Sequence, residues 1–167
     1  SFKSVANLDN IHFLGGYHVD AVIEGYPQLK FSVIPDWQNR SVLYTLLKAP
    51  FSDHSTVVTY SDTIFRNKVV EEIISVDADV VFGIDTKWKE RFEKRPADDI
   101  NSAETIEIKD SLGKSHIVEF TGLVRFGEKA VQCLKGLDEP SVGSTLIHLL
   151  EFLKSLGFSV CHFDVAG

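Results

Sequence analysis

The chain has 167 residues, of which 44% are hydrophobic and 25% charged, and its formal net charge is −7. These values are typical of globular proteins, and the length suits one domain better than two. An acidic chain without a long Lys/Arg run argues against nucleic-acid binding, and no apolar run nears the roughly 20 residues that span a bilayer. The first residues also lack a secretory pattern. We therefore expect one cytoplasmic domain over residues 1–167, with neither nucleic acid nor membrane as partner and no indicated oligomeric state.

Apolar runs of strand length alternate with segments of helical periodicity along the chain. This alternation predicts a three-layer α/β fold, in which helices cover a mainly parallel sheet. In chain order we predict strand 11–14, helix 18–26, strand 31–34, helix 41–49, strand 56–60, helix 66–75, strand 80–84, helix 88–94, strands 104–108 and 116–124, helices 127–134 and 142–156, and strand 158–163.

The ends of these elements carry residues that stop helices or favour turns. Pro27 and Pro50 end the first two helices, because proline cannot continue a helix. Leu112 and Gly113 lie in the segment 110–114, which suits a hairpin turn between two strands. We expect that hairpin to form a small lobe over the carboxyl edge of the sheet.

Two aspartates directly follow predicted buried strands. Asp62 comes after the β-branched run 56–60, and Asp85 ends the run 80–84. Parallel sheets bind ligands beyond the carboxyl ends of their strands, which is where both residues fall. The alternative for each is a helix N-cap, since aspartate accepts hydrogen bonds from the first amides of a helix. The pattern alone leaves both interpretations open.

The segment YSDTIF at residues 60–65 resembles the metal-binding strand end of sugar-phosphate and choline-phosphate nucleotidyltransferases. Further segments resemble the same family in the same order, and the later ones are similar to the branch that is fused to phosphoenolpyruvate mutase. They are FLGGY at 13–17, YPQLKFSVIPDW at 26–37, SVLYTLL at 41–47, ADVVFGIDTKW at 78–88, then Arg95, then Ala103-Glu104, and EFTGLVRF at 119–126. The resemblance covers most of the chain and implies a Rossmann-like nucleotidyltransferase fold.

The family's reaction is attack by a phosphate or phosphonate oxygen on the α-phosphorus of a nucleoside triphosphate, with release of pyrophosphate. Such chemistry needs Mg²⁺ and cationic groups around the phosphoryl oxygens, and one or two carboxylates suffice to hold Mg²⁺. The resemblance implies that Asp62 is the catalytic metal ligand and that Tyr60 and Ser61 contact the nucleotide. CTP is favoured, with a small phosphorylated alcohol, a sugar phosphate or a phosphonate as acceptor.

A cationic acceptor such as choline phosphate needs carboxylates or aromatic faces around its head group. We expect Glu119, Glu104 and Asp85 to supply the carboxylates, and Trp88 and Tyr17 to supply the faces. The hypothesis requires the three carboxylates to converge in one cleft with Asp62. The alternative for Glu119 is a plain solvent-facing strand residue.

Family members also have a glycine-rich triphosphate loop followed by a lysine, and a second metal-binding aspartate. The residues before Ile11 resemble a helix that follows that loop, and the second aspartate is expected shortly beyond residues 164–167. We therefore expect the domain to be incomplete at both ends, either as a fragment or as a truncated relative without turnover.

Two further classes of protein compete with this interpretation. Asp77-Ala78-Asp79 forms a DxD motif, which binds metal and nucleotide-sugar in glycosyltransferases, although its place before a strand favours a plain helix-to-strand turn. A non-catalytic binding or oligomerisation module that kept the fold is the other rival.

The basic stretch at residues 87–95 is expected to be a solvated helix face, or to bring one cation to a substrate phosphate. Neither the cysteines nor the histidines have the spacing of a zinc site or a hydrolase.

Overall fold

The computed structural model describes residues 10–166, which form seven strands and eight α-helices in this part of the chain. The strands are β1 (His12–Gly15), β2 (Lys30–Val33), β3 (Thr56–Val58), β4 (Val80–Asp85), β5 (Thr105–Lys109), β6 (Ser115–Phe126) and β7 (Val160–Asp164). The helices are α1 (Val19–Gly25), α2 (Val42–Leu47), α3 (Asn67–Ser75), α4 (Trp88–Phe92), α5 (Ala97–Ser102), α6 (Glu128–Leu134), α7 (Glu139–Val142) and α8 (Leu146–Ser155), with a 3₁₀ turn at Trp37–Asn39.

The strands form two sheets. β1 and β2 pair in parallel. In the larger sheet the order is β3-β6-β4-β7, and β5 pairs with β6 on the side of β3. β3, β4 and β5 are all antiparallel to β6, whereas β7 is parallel to β4. Four strands therefore share one direction and β6 opposes them, so the α/β class is confirmed but the larger sheet is mixed.

The hairpin explains the reversed direction of β6. Asp110 closes the turn, because its Oδ1 accepts from the amides of Leu112 and Lys114, both at 2.9 Å, and Gly113 takes a φ of 78°. A hairpin makes its second strand antiparallel to its first, whereas a parallel strand needs a crossover connection. β6 then continues for twelve residues into the middle of the sheet. The predicted hairpin is confirmed, and its tip lies beyond the carboxyl end of β4.

Helices cover both faces of the larger sheet. On one face, here called the α8 face, Val80, Phe82 and Ile84 pack with α2, α6 and α8. On the other, the α3 face, Val81 and Leu123 pack with α3. The alternation along β4 follows from the two-residue period of a strand. The result is the predicted three-layer arrangement.

The predicted elements are present with small changes in their ends. β6 is longer than expected, and the short helices α5 and α7 were not predicted. The helix expected before Ile11 lies outside the described residues. Within residues 10–166, no helix combines the length and the apolar character needed to cross a membrane.

Candidate functional site at the carboxyl edge

Asp62 lies in the turn between β3 and α3, where its carboxylate is exposed. Thr63 Oγ1 lies 3.5 Å from its Oδ1. The N-cap of α3 is Arg66, four residues further on, so Asp62 does not cap that helix. Asp62 thus does not have the helix-capping role that is the alternative for an aspartate after a strand, and its carboxylate is exposed to solvent.

Tyr60, two residues before Asp62, is held by packing and by one hydrogen bond. Its ring lies edge-on against Phe120 with 6.2 Å between centroids. Its hydroxyl donates to Glu104 Oε2 at 2.9 Å. Burial raises the pKa of the Tyr60 phenol, and the hydrogen bond to Glu104 and the nearby charges of Glu104 and Asp62 raise it further. The phenol therefore stays protonated and acts as a donor.

Asp85 is fully buried at the end of β4. Its Oδ1 accepts from the amide of Lys87 at 2.8 Å, and its Oδ2 contacts the guanidinium of Arg91. The Asp85 carboxylate is thus neutralised by α4 and turned away from solvent. Its structural role is to join the end of β4 to the start of α4.

Glu119 lies directly opposite Asp85 on β6. It is partly buried and forms no hydrogen bond through its side chain within residues 10–166. Burial raises the pKa of Glu119, while the positive charges of Arg91 and Arg95 oppose that shift. Glu119 is therefore a carboxylate without a fixed partner, in a setting that also contains two guanidinium groups.

The three expected acceptor carboxylates do not share one face of the sheet, so the requirement that they converge in one cleft with Asp62 is not met. Cross-strand partners point to the same face, so Asp85 and Glu119 both lie on the α3 face, one residue out of phase with Ile84 and Phe120. Glu104 instead binds Tyr60, which packs on the α8 face. The structure thus brings Glu104 and Tyr60 together, with Asp62 nearby, and forms a separate group from Asp85 and Glu119.

The two expected aromatic faces differ in exposure. Trp88 is only 6% exposed, and its Nε1 donates to the carbonyl of Ile117 at 3.3 Å, so its ring forms part of the core beneath the hairpin. Tyr17 is 67% exposed and lies edge-on to Trp37, with 5.2 Å between ring centroids. Only Tyr17 offers an aromatic surface to solvent. Ser61 is exposed beside Asp62.

Asp164 is a residue at the same edge that the sequence reasoning did not select. It ends β7, where its Oδ2 accepts from Thr86 Oγ1 at 2.6 Å and its Oδ1 from the amide of Ala166 at 3.0 Å. Partial burial alone would raise the pKa of Asp164, but the hydrogen bonds from Thr86 and Ala166 hold it below its usual value. The signal was available, since Asp164 follows a predicted strand as Asp62 and Asp85 do.

Two clefts flank the hairpin, and neither lining includes Asp62. One of about 530 Å³ lies between α4 and the hairpin tip, and includes Thr86, Lys89 and His116. The other, of about 830 Å³, lies between β5 and α8. Asp62 is exposed to solvent outside these two clefts.

A magnesium ion is implied by the family resemblance. Residues 10–166 contain no group of three or more His, Cys, Asp or Glu side chains arranged to hold a metal. Mg²⁺ does not need such a group, because it keeps several waters and is bound through one or two carboxylates plus substrate phosphates. The exposed, uncapped carboxylate of Asp62 fits that partial contribution.

The DxD motif lies at the opposite edge of the sheet. Asp79 Oδ2 accepts from Ser159 through the amide at 2.9 Å and the hydroxyl at 2.8 Å. The carbonyl of Asp79 accepts from the amide of Gly127 at 2.7 Å. Asp79 therefore ties the starts of β4 and β7 together, and the predicted helix-to-strand turn is confirmed.

In comparisons with known proteins, neither a family model nor a curated protein matches the chain.

Proposed function

We propose that this domain belongs to a nucleotidyltransferase that joins a nucleotide, CTP by preference, to a small phosphorylated or phosphonate acceptor. The observation that carries the proposal is Asp62, an exposed carboxylate at the carboxyl end of β3 that caps no helix. The carboxyl edge is where α/β sheets bind ligands. The ordered resemblance of six segments to the family supplies the reaction type.

Asp62 is proposed to hold the metal, and Ser61 beside it is proposed to contact the nucleotide. Bound Mg²⁺ would neutralise charge on the phosphoryl oxygens of the triphosphate. The role of this chain is then to hold a carboxylate in place at the edge of the sheet, without a covalent nucleophile. The turn that carries Asp62 is anchored by Tyr60, whose partly buried ring packs against Phe120.

Glu119 is proposed to contact the acceptor. Among the three carboxylates expected for this role, it is the one that has neither a hydrogen bond nor an ion pair within residues 10–166. A cationic head group would stabilise its ionised form, because burial alone disfavours the charge. Choline phosphate and 2-aminoethylphosphonate both carry such a group, and a sugar phosphate does not.

The test is pyrophosphate release by the intact protein with each of the four nucleoside triphosphates, Mg²⁺ and a panel of the three acceptor types. We expect release with CTP and a cationic acceptor. Asp62→Asn is expected to lower metal-dependent turnover by about a hundredfold or more, the usual scale for losing a preorganised electrostatic group. The free energy of unfolding should change by less than about 0.5 kcal/mol, because the side chain is exposed.

Glu71→Gln is the matched control, since it makes the same carboxylate-to-amide change on an exposed position of α3. It should leave turnover unchanged. If Asp62→Asn also leaves turnover unchanged, Asp62 has no role in the mechanism. Absence of pyrophosphate release with every nucleotide and acceptor would favour the non-catalytic binding module instead.

A further inference from the structure

The Tyr60 side chain, although it lies next to an exposed turn, is held at both its ring and its hydroxyl. Its ring occupies space that only a glycine on β6 leaves free, because a Cβ added to Gly122 would lie 2.3 Å from the Tyr60 ring. Gly122 also has a φ of +72°, a conformation that glycine adopts without strain. The pairing of β4 with β6 shifts register between Phe82 and Ile84, next to this glycine. The irregular backbone of β6 at Gly122 therefore leaves the space that the Tyr60 ring fills.

The other end of the Tyr60 side chain is fixed by Glu104. The phenol donates to Glu104 Oε2 at 2.9 Å. Glu104 is itself held by the sheet, because its carbonyl accepts from the amide of Phe120 at 2.7 Å and β5 begins at the next residue. A partly buried phenol is stabilised by a hydrogen-bond partner, and a carboxylate held beside a strand is a strong one. The hairpin thus contacts the start of the turn after β3 through the Glu104 hydrogen bond as well as through the Phe120 ring.

We propose that Glu104 is a positioning residue, which acts through the hydroxyl of Tyr60 to hold the turn that presents Asp62, and that it does not bind the acceptor. The inference rests on the proposed function, since it deepens the role of Asp62 as metal ligand. It also separates the two carboxylates of the hairpin. Glu119 lies on the α3 face and its side chain has no hydrogen bond within residues 10–166, whereas the Glu104 side chain accepts from Tyr60.

The contact has a direction that suits positioning. Glu104 Oε2 accepts from the Tyr60 hydroxyl at 2.9 Å, because an ionised carboxylate has no proton to donate. A carboxylate oxygen that already accepts from a phenol hydroxyl is less available to a substrate cation. Tyr60 and Asp62 are two residues apart in one turn, so a shift of the ring moves the backbone that carries Asp62.

The experiment compares four variants of the intact protein for turnover as a function of Mg²⁺ concentration. Tyr60→Phe keeps the ring and removes the donor, and Glu104→Ala removes the acceptor. Glu104→Gln keeps an amide oxygen that can accept from the phenol, and the fourth variant combines Tyr60→Phe with Glu104→Ala. The matched controls are Tyr44→Phe on α2 and Glu107→Ala, an exposed position of β5.

We expect Tyr60→Phe and Glu104→Ala each to raise the half-saturating Mg²⁺ concentration by about five- to tenfold, the factor that one hydrogen bond supplies. The double variant should be no worse than the stronger single one, because both remove the same contact. Glu104→Gln should stay within about twofold of the wild type, and the Michaelis constant for the acceptor should be unchanged in all four. Both controls should behave as the wild type.

A different pattern overturns the inference. If Glu104 binds a cationic acceptor, Glu104→Gln and Glu104→Ala raise the Michaelis constant for that acceptor alike, and Tyr60→Phe does not. Additive effects of Tyr60→Phe and Glu104→Ala on the Mg²⁺ dependence also contradict it, since they mean that the two residues act independently.

Backbone dynamics make the test independent of turnover. Loss of the contact should lower the NMR order parameters of the backbone amides of Ser61, Asp62 and Thr63 in Tyr60→Phe and Glu104→Ala, and not in Glu104→Gln. Unchanged order parameters in Tyr60→Phe would show that the contact does not hold the turn. If the order parameters change as expected but no nucleotide is turned over, the positioning contact stands and the proposed function fails.

Discussion

The two edges of the larger sheet use their polar residues in opposite ways. At the amino edge of β4, Arg125 donates through its Nη2 to the carbonyls of Val76 at 2.8 Å and Ala78 at 2.7 Å. Asp79 in the same place accepts twice from Ser159. At the carboxyl edge, Asp62 caps no helix and Glu119 has no side-chain hydrogen bond within residues 10–166. Arg125 and Asp79 are thus bound within the fold at the amino edge, whereas at the carboxyl edge Asp62 and Glu119 are left available although Asp85 and Asp164 are bound.

This difference is informative because both edges carry aspartates beside the same strand. A motif search would rank the DxD of residues 77–79 above the single Asp62. The structure reverses that ranking, since Asp79 already has its hydrogen-bond partners in the fold. An acidic side chain without hydrogen-bond partners in the fold is thus a better sign of a ligand site than a motif that contains several acidic residues. The comparison predicts that substitutions of Arg125 and Asp79 at the amino edge cost stability, while those of Asp62 and Glu119 at the carboxyl edge do not.

The largest effect on stability is expected for Arg125→Met. Arg125 is buried, with 7% of its surface exposed, and the variant would leave the carbonyls of Val76 and Ala78 without their donor. Burial lowers the pKa of Arg125, but Asp77 and Asp79 oppose the shift, so the guanidinium stays charged. We expect the free energy of unfolding to fall by about 3 kcal/mol, which urea denaturation measures.

Lys129→Met on the exposed side of α6 is the control, and it should change the free energy of unfolding by less than about 0.5 kcal/mol. Turnover per folded molecule should be the same in both variants, because Arg125 lies at the edge away from Asp62. An equal loss of stability in the two variants would show that the Arg125 contacts contribute little. A specific loss of turnover in Arg125→Met would break the division between the edges.

Much of the fold could be predicted from periodicity. The alternation of apolar runs and helical segments gives the element types, and the position of Asp62 after a β-branched run gives its place at the carboxyl edge. The reversed direction of β6 was also accessible, because a strand that follows a hairpin turn must be antiparallel to the one before. The prediction of a mainly parallel sheet failed because it did not extend the reversed direction of β6 to its pairing with β3 and β4.

The split between Glu104 and Glu119 was likewise within reach. If residues 110–114 form the turn, Lys109 pairs with Ser115, and counting back puts Thr105 opposite Glu119 and Glu104 opposite Phe120. Cross-strand partners share a face, so Glu104 and Glu119 must point to opposite faces. The contacts of Arg125 could not be predicted, because the two carbonyls lie 47 and 49 residues away and meet it only through the sheet.

A smaller effect at the amino edge is expected for Asp79→Asn, and it depends on pH. Hydrogen bonds from Ser159 hold the pKa of Asp79 below its ordinary value of 3.8. A carboxylate with a lowered folded-state pKa stabilises the fold above its unfolded-state pKa, and the contribution is lost as pH falls through the folded-state pKa. The wild type should therefore exceed the variant in stability at pH 7, and the difference should shrink below about pH 3.8.

The measurement is urea denaturation of both proteins from pH 7 to pH 3. Glu71→Gln at an exposed position of α3 serves as the control for an exposed carboxylate, and its difference from the wild type should not follow this course. A difference between wild type and Asp79→Asn that stays constant down to pH 3 would mean that the Ser159 hydrogen bonds do not depend on the charge of Asp79.

The smallest effect, and one of opposite sign, is expected for Glu119→Gln at the carboxyl edge. Burial raises the pKa of Glu119 above its ordinary value of 4.5, against the attraction of Arg91 and Arg95. A carboxylate with a raised folded-state pKa favours the fold while it is protonated, and that contribution is lost as pH rises from the unfolded-state pKa through the folded-state pKa. The variant cannot ionise, so it should gain stability relative to the wild type as pH rises above about 4.5.

The gain should be less than about 1 kcal/mol, because Glu119 is only partly buried and solvent screens its charge. Urea denaturation at pH 4 and pH 7 measures it, and Glu107→Gln, an exposed position on β5, provides the control without burial. The same Glu119→Gln variant should raise the Michaelis constant for a cationic acceptor more than that for the nucleotide. A variant that loses stability at pH 7 would show that Glu119 is held by Arg91 and Arg95 as a structural ion pair. In that case the carboxyl edge would resemble the amino edge at this position, and Glu119 would not be available to a ligand.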